Sequence, residues 1–123
     1  MCIFCEKIEN KTGIIFENDK VIALFDNYPV SNGHILIITK RHVSTYFEAD
    51  IAEKMAIDQA IMAMKSKIDK EFAPDGYNIG INNGIASGQT IDHLHVHLIP
   101  RYFGDVDNPR GGVRGVIPKK QSY

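Results

Sequence analysis

Near its C-terminal end the chain reads His93-Leu94-His95-Val96-His97-Leu98-Ile99, which places three of its five histidines at alternate positions. Side chains alternate across a β-strand, so this spacing predicts three imidazoles on one face, roughly 6.6 to 6.8 Å apart per step. Leu94, Val96 and Leu98 then face a core on the other side. Burial alone gives no reason for such a row, because every buried ring needs a partner for its N–H and another for its lone pair. The row is expected to be a reactive surface.

Two chemistries suit it. Neutral imidazoles can attack a phosphorus through Nε2 while Nδ1–H is held by an acceptor, forming a covalent intermediate that water later hydrolyses. The middle ring, His95, has a potential donor on either side. Three imidazoles can equally hold zinc with one position left open for water. A second candidate constellation is the C-x-x-C of Cys2 and Cys5, which reads as a redox pair, half of a zinc site or an inert pair of thiols. The redox version expects a preceding strand, and none is predicted.

The elements that must carry these residues follow from pattern. Gly13 to Phe16 and Val21 to Phe25 read as a hairpin around Glu17-Asn18-Asp19-Lys20; His34 to Thr39, Tyr77 to Asn82 and His93 to Ile99 complete five strands. Ile51, Met55, Ile61, Met64, Ile68 and Phe72 recur at helical spacing behind Asp50 and Glu53, a capping-box pair, which predicts one amphipathic helix over residues 50 to 72. Ala73-Pro74-Asp75-Gly76 ends it. Cys2 to Ile8 is expected to form a shorter helix. Gly104 to Gly115 reads as an extended loop leading into a tail, with Arg110, Arg114, Lys119 and Lys120 solvated.

Composition bounds the setting. The chain has 123 residues, 14 basic and 15 acidic, for a formal net charge of −1. One domain is the expectation, and no bulk field recruits nucleic acid or an anionic membrane. Without a long apolar run, the sequence reads as a soluble cytoplasmic protein.

In combination, the residues resemble the histidine triad (HIT) superfamily of nucleotide hydrolases and transferases. The features that carry the likeness are His93-x-His95-x-His97, the preceding Ser87-Gly88-Gln89-Thr90 and Asn82-Asn83-Gly84, and the distant Gly33-His34-x-Leu36-x-Ile38-x-Lys40-x-His42. The resemblance runs from about Ile3 to Arg101. It implies an α+β fold, a five-stranded antiparallel sheet with one long and one short helix, paired as a homodimer; residues 1 to 103 form the HIT domain and 104 to 123 a loop and tail.

It also implies roles. His95 becomes the nucleophile, His97 a donor to a phosphoryl oxygen, and His93 and His34 the groups that orient rings behind it. Gln89 contacts the α-phosphoryl and leaving oxygens. Asn82 and Thr90 touch phosphate, Asp26 accepts from ribose hydroxyls beside Asn27, and Ile3, Leu24 and Phe25 line the base. On local sequence alone, Asp26 is equally a turn residue and Gln89 a loop amide. Some bacterial members complete a Cys₂His₂ zinc site at the positions of His42 and His93, so Cys2, Cys5, His42 and His93 form the proposed structural site. No organic cofactor is called for, and a divalent metal accompanying the substrate is compatible. The implied reaction is cleavage at the α-phosphorus of dinucleoside polyphosphates or related nucleotides. A purine nucleoside phosphoramidase, and a nucleotide-binding regulatory protein with incidental hydrolysis, are the alternatives. Leu98-Ile99-Pro100-Arg101 after the triad favours the dinucleoside polyphosphate branch.

Overall fold

A computed structural model describes residues 2–123. Helix α1 spans Ile3–Asn10 and helix α2 Ile51–Phe72; the strands are β1 Phe16–Glu17, β2 Val21–Phe25, β3 Ile35–Thr39, β4 Gly76–Gly80 and β5 His95–Arg101. All five pair antiparallel in the order β1-β2-β3-β5-β4. This is the expected α+β architecture.

The central strands are apolar on both sides because both faces are covered. Val21, Ala23, Ile35, Ile37, Val96 and Leu98 pack against Ala56, Ile57, Ala60, Met64 and Ile68 of α2. Ile22, Leu24, Leu36 and Ile38 form a smaller core with Phe4 of α1. Register extends that second face onto β5, since His97 pairs with Leu36 and His95 with Ile38.

Helix α2 starts as its sequence dictates. Asp50 accepts from the Glu53 backbone N–H at 2.8 Å and Glu53 accepts from that of Asp50 at 3.0 Å. The buried stripe, however, is built around alanines that let the helix approach the sheet. Ile51, Met55 and Met62 are exposed. Glu53 is itself buried and accepts two bonds from Arg41, at 2.6 and 3.2 Å. That pair ties the segment after β3, which carries His42, to the start of α2.

Three further expectations are corrected. The first strand is only two residues long, with Ile15 adding one bond to Ala23. The triad strand begins at His95, because His93 N–H donates to Ile91 O in a tight turn. The C-terminal segment is not extended: it folds into 3₁₀ turns at Gly112–Val116 and Pro118–Lys120. Arg114 there donates to Lys120 O at 2.8 Å and, with Arg110, lies against the Tyr123 ring.

Arg41 holds the Glu53 carboxyl below its ordinary 4.5, its hydrogen bonds outweighing the opposing effect of burial. A carboxylate lowered on folding stabilises above its unfolded value and loses that contribution as pH falls through the lowered one. Arg41→Ala is therefore expected to lower the melting temperature at pH 7, by less than breaking a fully buried pair would, because Arg41 is half exposed. The difference in melting temperature from wild type should shrink from pH 5 to pH 3; a constant difference would show that the charge pair is not its source.

Candidate active site and metal cluster

The turn between β2 and β3 builds one corner of the site. Asp26 N–H donates to His34 O at 3.0 Å and closes the connection. Gly33 enters β3 at φ +89°, and a Cβ there would sit 3.1 Å from Phe72 and 3.3 Å from Ile68. A glycine is required to deliver His34.

The ring bonds then determine where each proton resides. Val30 N–H donates to His34 Nδ1 at 3.1 Å, so the His34 proton is on Nε2. That nitrogen lies 2.9 Å from His97 Nδ1 and donates to it. His97 consequently carries its proton on Nε2, the opposite edge of the ring. His95 Nδ1 is 2.7 Å from the main-chain oxygen of His93 and must donate, which leaves a lone pair on His95 Nε2. The His95 and His97 rings are 5.3 Å apart. One therefore presents a lone pair and the other an N–H to the same neighbourhood.

Burial is the main cause lowering the basicity of His34, His93 and His97, with His97 brought down to about 4. For His34, Asp26 opposes the shift from 3.5 Å. All three are neutral at physiological pH, as this proton arrangement needs.

His93 faces elsewhere. Its Nε2–H donates to Thr39 O at 2.7 Å, so the Nδ1 lone pair points to Cys2 Sγ at 3.4 Å and Cys5 Sγ at 3.5 Å. Cys5 Sγ is 3.2 Å from His42 Nδ1, and all four donor atoms lie within 4.8 Å of one another. Sulfur and nitrogen ligands on a tetrahedral zinc are about 3.5 Å apart, given the usual bond lengths. Donor set and spacing both fit zinc. Burial and the Cys2 thiol raise the Cys5 pKa without a cation, so a metal is what would hold these sulfurs as thiolates.

Several expected placements change. Nδ1 of His93, His95 and His97 address three different partners, so the triad does not converge on one metal. His93 orients His95 through its main-chain oxygen, not its ring, and His34 orients His97 instead of His95. Gln89 is a loop brace: Oε1 accepts from Gly84 N–H at 2.8 Å, and Nε2 donates to Ser44 O at 2.7 Å and Ile91 O at 3.1 Å. Asp26 accepts from Tyr28 N–H at 2.9 Å as a turn residue and still has Oδ2 beside His34. Leu24 shares the histidine face, whereas Phe25, paired with Ile35, lies on the opposite one and cannot line the same base pocket. Ile3 and Asn27 are exposed, Asn82 is half-buried and Thr90 exposed.

Two contributors went unread in the sequence. Asn83 accepts from Tyr46 N–H at 2.8 Å, and Phe4, 3% exposed, meets the His95 ring edge-on at 5.0 Å between centroids. The Cys2-x-x-Cys5 frame brackets Phe4 and was the available signal for it.

The comparisons with known proteins agree with this geometry. The HIT domain profile matches residues 7–104. An uncharacterised HIT-like protein of Methanocaldococcus jannaschii is 37% identical over 85% of this chain and 82% of its own. The adenosine 5′-monophosphoramidase of Schizosaccharomyces pombe is 32% identical over 81% of this chain and 74% of its own. In the asymmetrical bis(5′-nucleosyl)-tetraphosphatase of the same yeast the match is 35%, covering 74% of this chain and half, 50%, of that enzyme. Among solved structures, a HIT family protein from Bacillus anthracis superposes with a TM-score of 0.79 at 36% identity, covering 85% of this chain and 75% of that one. A Zn-bound histidine triad family protein from Mycobacterium smegmatis gives 0.77 at 28% identity, covering 85% and 77%.

Histidines lowered on folding make stability fall as pH drops, because the unfolded chain takes up protons near pH 6.5 that the folded chain refuses. The melting temperature is expected to decline from pH 7 to pH 5, with the His97 ring titrating near 4 in an NMR pH series. A His97 midpoint near 6.5 would contradict the neutral relay.

Proposed function

From the premise that the chain belongs to the HIT domain family, we propose that it hydrolyses nucleotides at the α-phosphorus through a nucleotidyl-histidine on His95. The observation that carries this is the 2.7 Å bond from His95 Nδ1–H to the His93 main-chain oxygen. It commits the Nε2 lone pair to attack in a ring that is only 8% exposed and so free of competing water. His97, held by His34, donates its Nε2–H to a non-bridging phosphoryl oxygen as charge develops there. Asp26 takes the ribose hydroxyls, Leu24 and Ile3 flank the base, and Asn82 and Thr90 reach the phosphates. Gln89 serves by shaping the loop that carries Thr90.

The substrate is a dinucleoside polyphosphate, in line with Leu98-Ile99-Pro100-Arg101 and with the tetraphosphatase relative. The monophosphoramidase relative favours the second reading, a nucleoside phosphoramidate; both leave the same adduct on His95. Cys2, Cys5, His42 and His93 would hold a structural zinc, whose contribution is folding energy and a fixed N-terminus. No open ligand position is left for substrate. A second copy of the chain covering Ile51, Met55 and Met62 completes the proposal as a homodimer.

His95→Asn is expected to abolish turnover of diadenosine polyphosphates and of adenosine phosphoramidate while adenosine monophosphate still binds. Quenching wild type in denaturant at alkaline pH, where the P–N bond survives, should trap one nucleoside monophosphate on the His95 peptide. Turnover by His95→Asn within about tenfold of wild type would exclude covalent catalysis there.

Zinc has its own test. Purified protein should carry about one zinc per chain, and Cys5→Ser should lose it together with several degrees of melting temperature. Full stability in metal-free protein would remove the site.

A further inference from the structure

Helix α1 is poorly secured by its own sequence. It is eight residues long, has no side-chain cap at its N-terminus and buries only Phe4 fully. An isolated helix of that length is marginal. Among the described residues, Glu6, Lys7 and Glu9 form no ion pair with the sheet. What locates the helix is Phe4 and Ile8 in the small core, together with Cys2 and Cys5, whose sulfurs meet His42 and His93.

Phe4 lies between those two cysteines in sequence, and its ring touches both active-site neighbours, His93 at 5.9 Å and His95 at 5.0 Å between centroids, each edge to face. The His95 ring is thus fixed by two devices. Its Nδ1–H is held by the His93 main chain, and Phe4 blocks the rotation that would swing the ring away from that bond. Both devices lead to the cysteine and histidine cluster, because His93 is one of its members and Phe4 sits between two others. Releasing the cluster removes one of the two anchors of α1 and the partners of His93 Nδ1 in one event.

We infer that Phe4 is a positioning residue for the nucleophile, and that it holds the His95 ring in its reactive orientation only while Cys2, Cys5, His42 and His93 are tied together by a bound metal. The inference rests on the nucleophile and zinc readings above and extends them. The metal is expected to act on chemistry from a distance, through α1, without meeting the substrate. A nearby ring displaced by about 1 Å can cost on the order of a hundredfold in rate, and loss of an orienting neighbour of a metal ligand typically costs 10- to 100-fold.

The test compares the full-length chain loaded with zinc, as wild type, Phe4→Leu and Phe4→Ala. Zinc content, single-turnover formation of the His95 adduct, affinity for adenosine monophosphate and the ¹⁵N signals of the His95 ring are measured for each. Phe4→Ala should keep its zinc and bind the nucleotide within about threefold of wild type. It should form the adduct roughly 10- to 100-fold more slowly and show His95 as a mixture of Nδ1–H and Nε2–H forms. Phe4→Leu, which retains bulk, should recover most of the rate. Removing zinc from wild type with a chelator should produce the same mixed ring signals, and should slow Phe4→Ala little further, since both changes act on one contact. The proposal is overturned by a single Nδ1–H form and an unchanged adduct rate in Phe4→Ala, or by chelation slowing that variant by the same factor as wild type. Absence of any adduct on His95 in wild type would strike the covalent reading instead, and the ring signals would still decide whether Phe4 and the metal orient His95.

Discussion

The structure depends on one constraint: a buried imidazole must find hydrogen-bond partners, and here they are main-chain atoms, other imidazoles and cysteine sulfurs. His93 illustrates it most fully. Its ring gives a proton to Thr39 O and turns a lone pair to two sulfurs, while its own carbonyl oxygen receives the proton of His95. One residue joins the cluster of Cys2, Cys5 and His42 to His95. A second chain, from Val30 N–H through His34 to His97, leaves the His97 proton on Nε2. His95 and His97 are each left with one free ring function, a lone pair on the first and an N–H on the second.

Neutrality is what makes these assignments chemical. A protonated His95 has no lone pair, and a protonated His34 would repel a charge on His97. Burial under α1 and between β3 and β5 lowers the basicity of the surrounding rings, so the fold holds them neutral at a cost in acid stability. Asp26 stands at the edge, half-buried and close enough to His34 to moderate this effect.

Much of this was legible in the residues. Period two put His95 and His97 on one face with Leu94, Val96 and Leu98 on the other, and Asp50 with Glu53 marked the start of the long helix. Cys2, Cys5, His42 and His93 come together as the family resemblance implied. Other features were set by tertiary context. No local signal stops β5 at His95, because the turn at His93 is imposed by its bonds to Ile91 O and Thr39 O. Phe25 fell on the wrong face because both faces of β2 are covered, which removes the alternation that marks inside from outside. Apolar periodicity marked α2 as amphipathic without separating the residues that meet the sheet, such as Met64 and Ile68, from the exposed Ile51 and Met55. Gln89 spends its amide on Gly84, Ile91 and the distant Ser44, and Phe4 looked like one more apolar residue in a short helix.

The most direct test of the account is the location of four ring protons. A long-range ¹H–¹⁵N spectrum of the zinc-loaded protein at pH 7 should show His34, His93 and His97 each protonated on Nε2 and His95 protonated on Nδ1, every ring as a single form. His95 protonated on Nε2 would leave it no lone pair facing the phosphorus, and the account of the site would be contradicted.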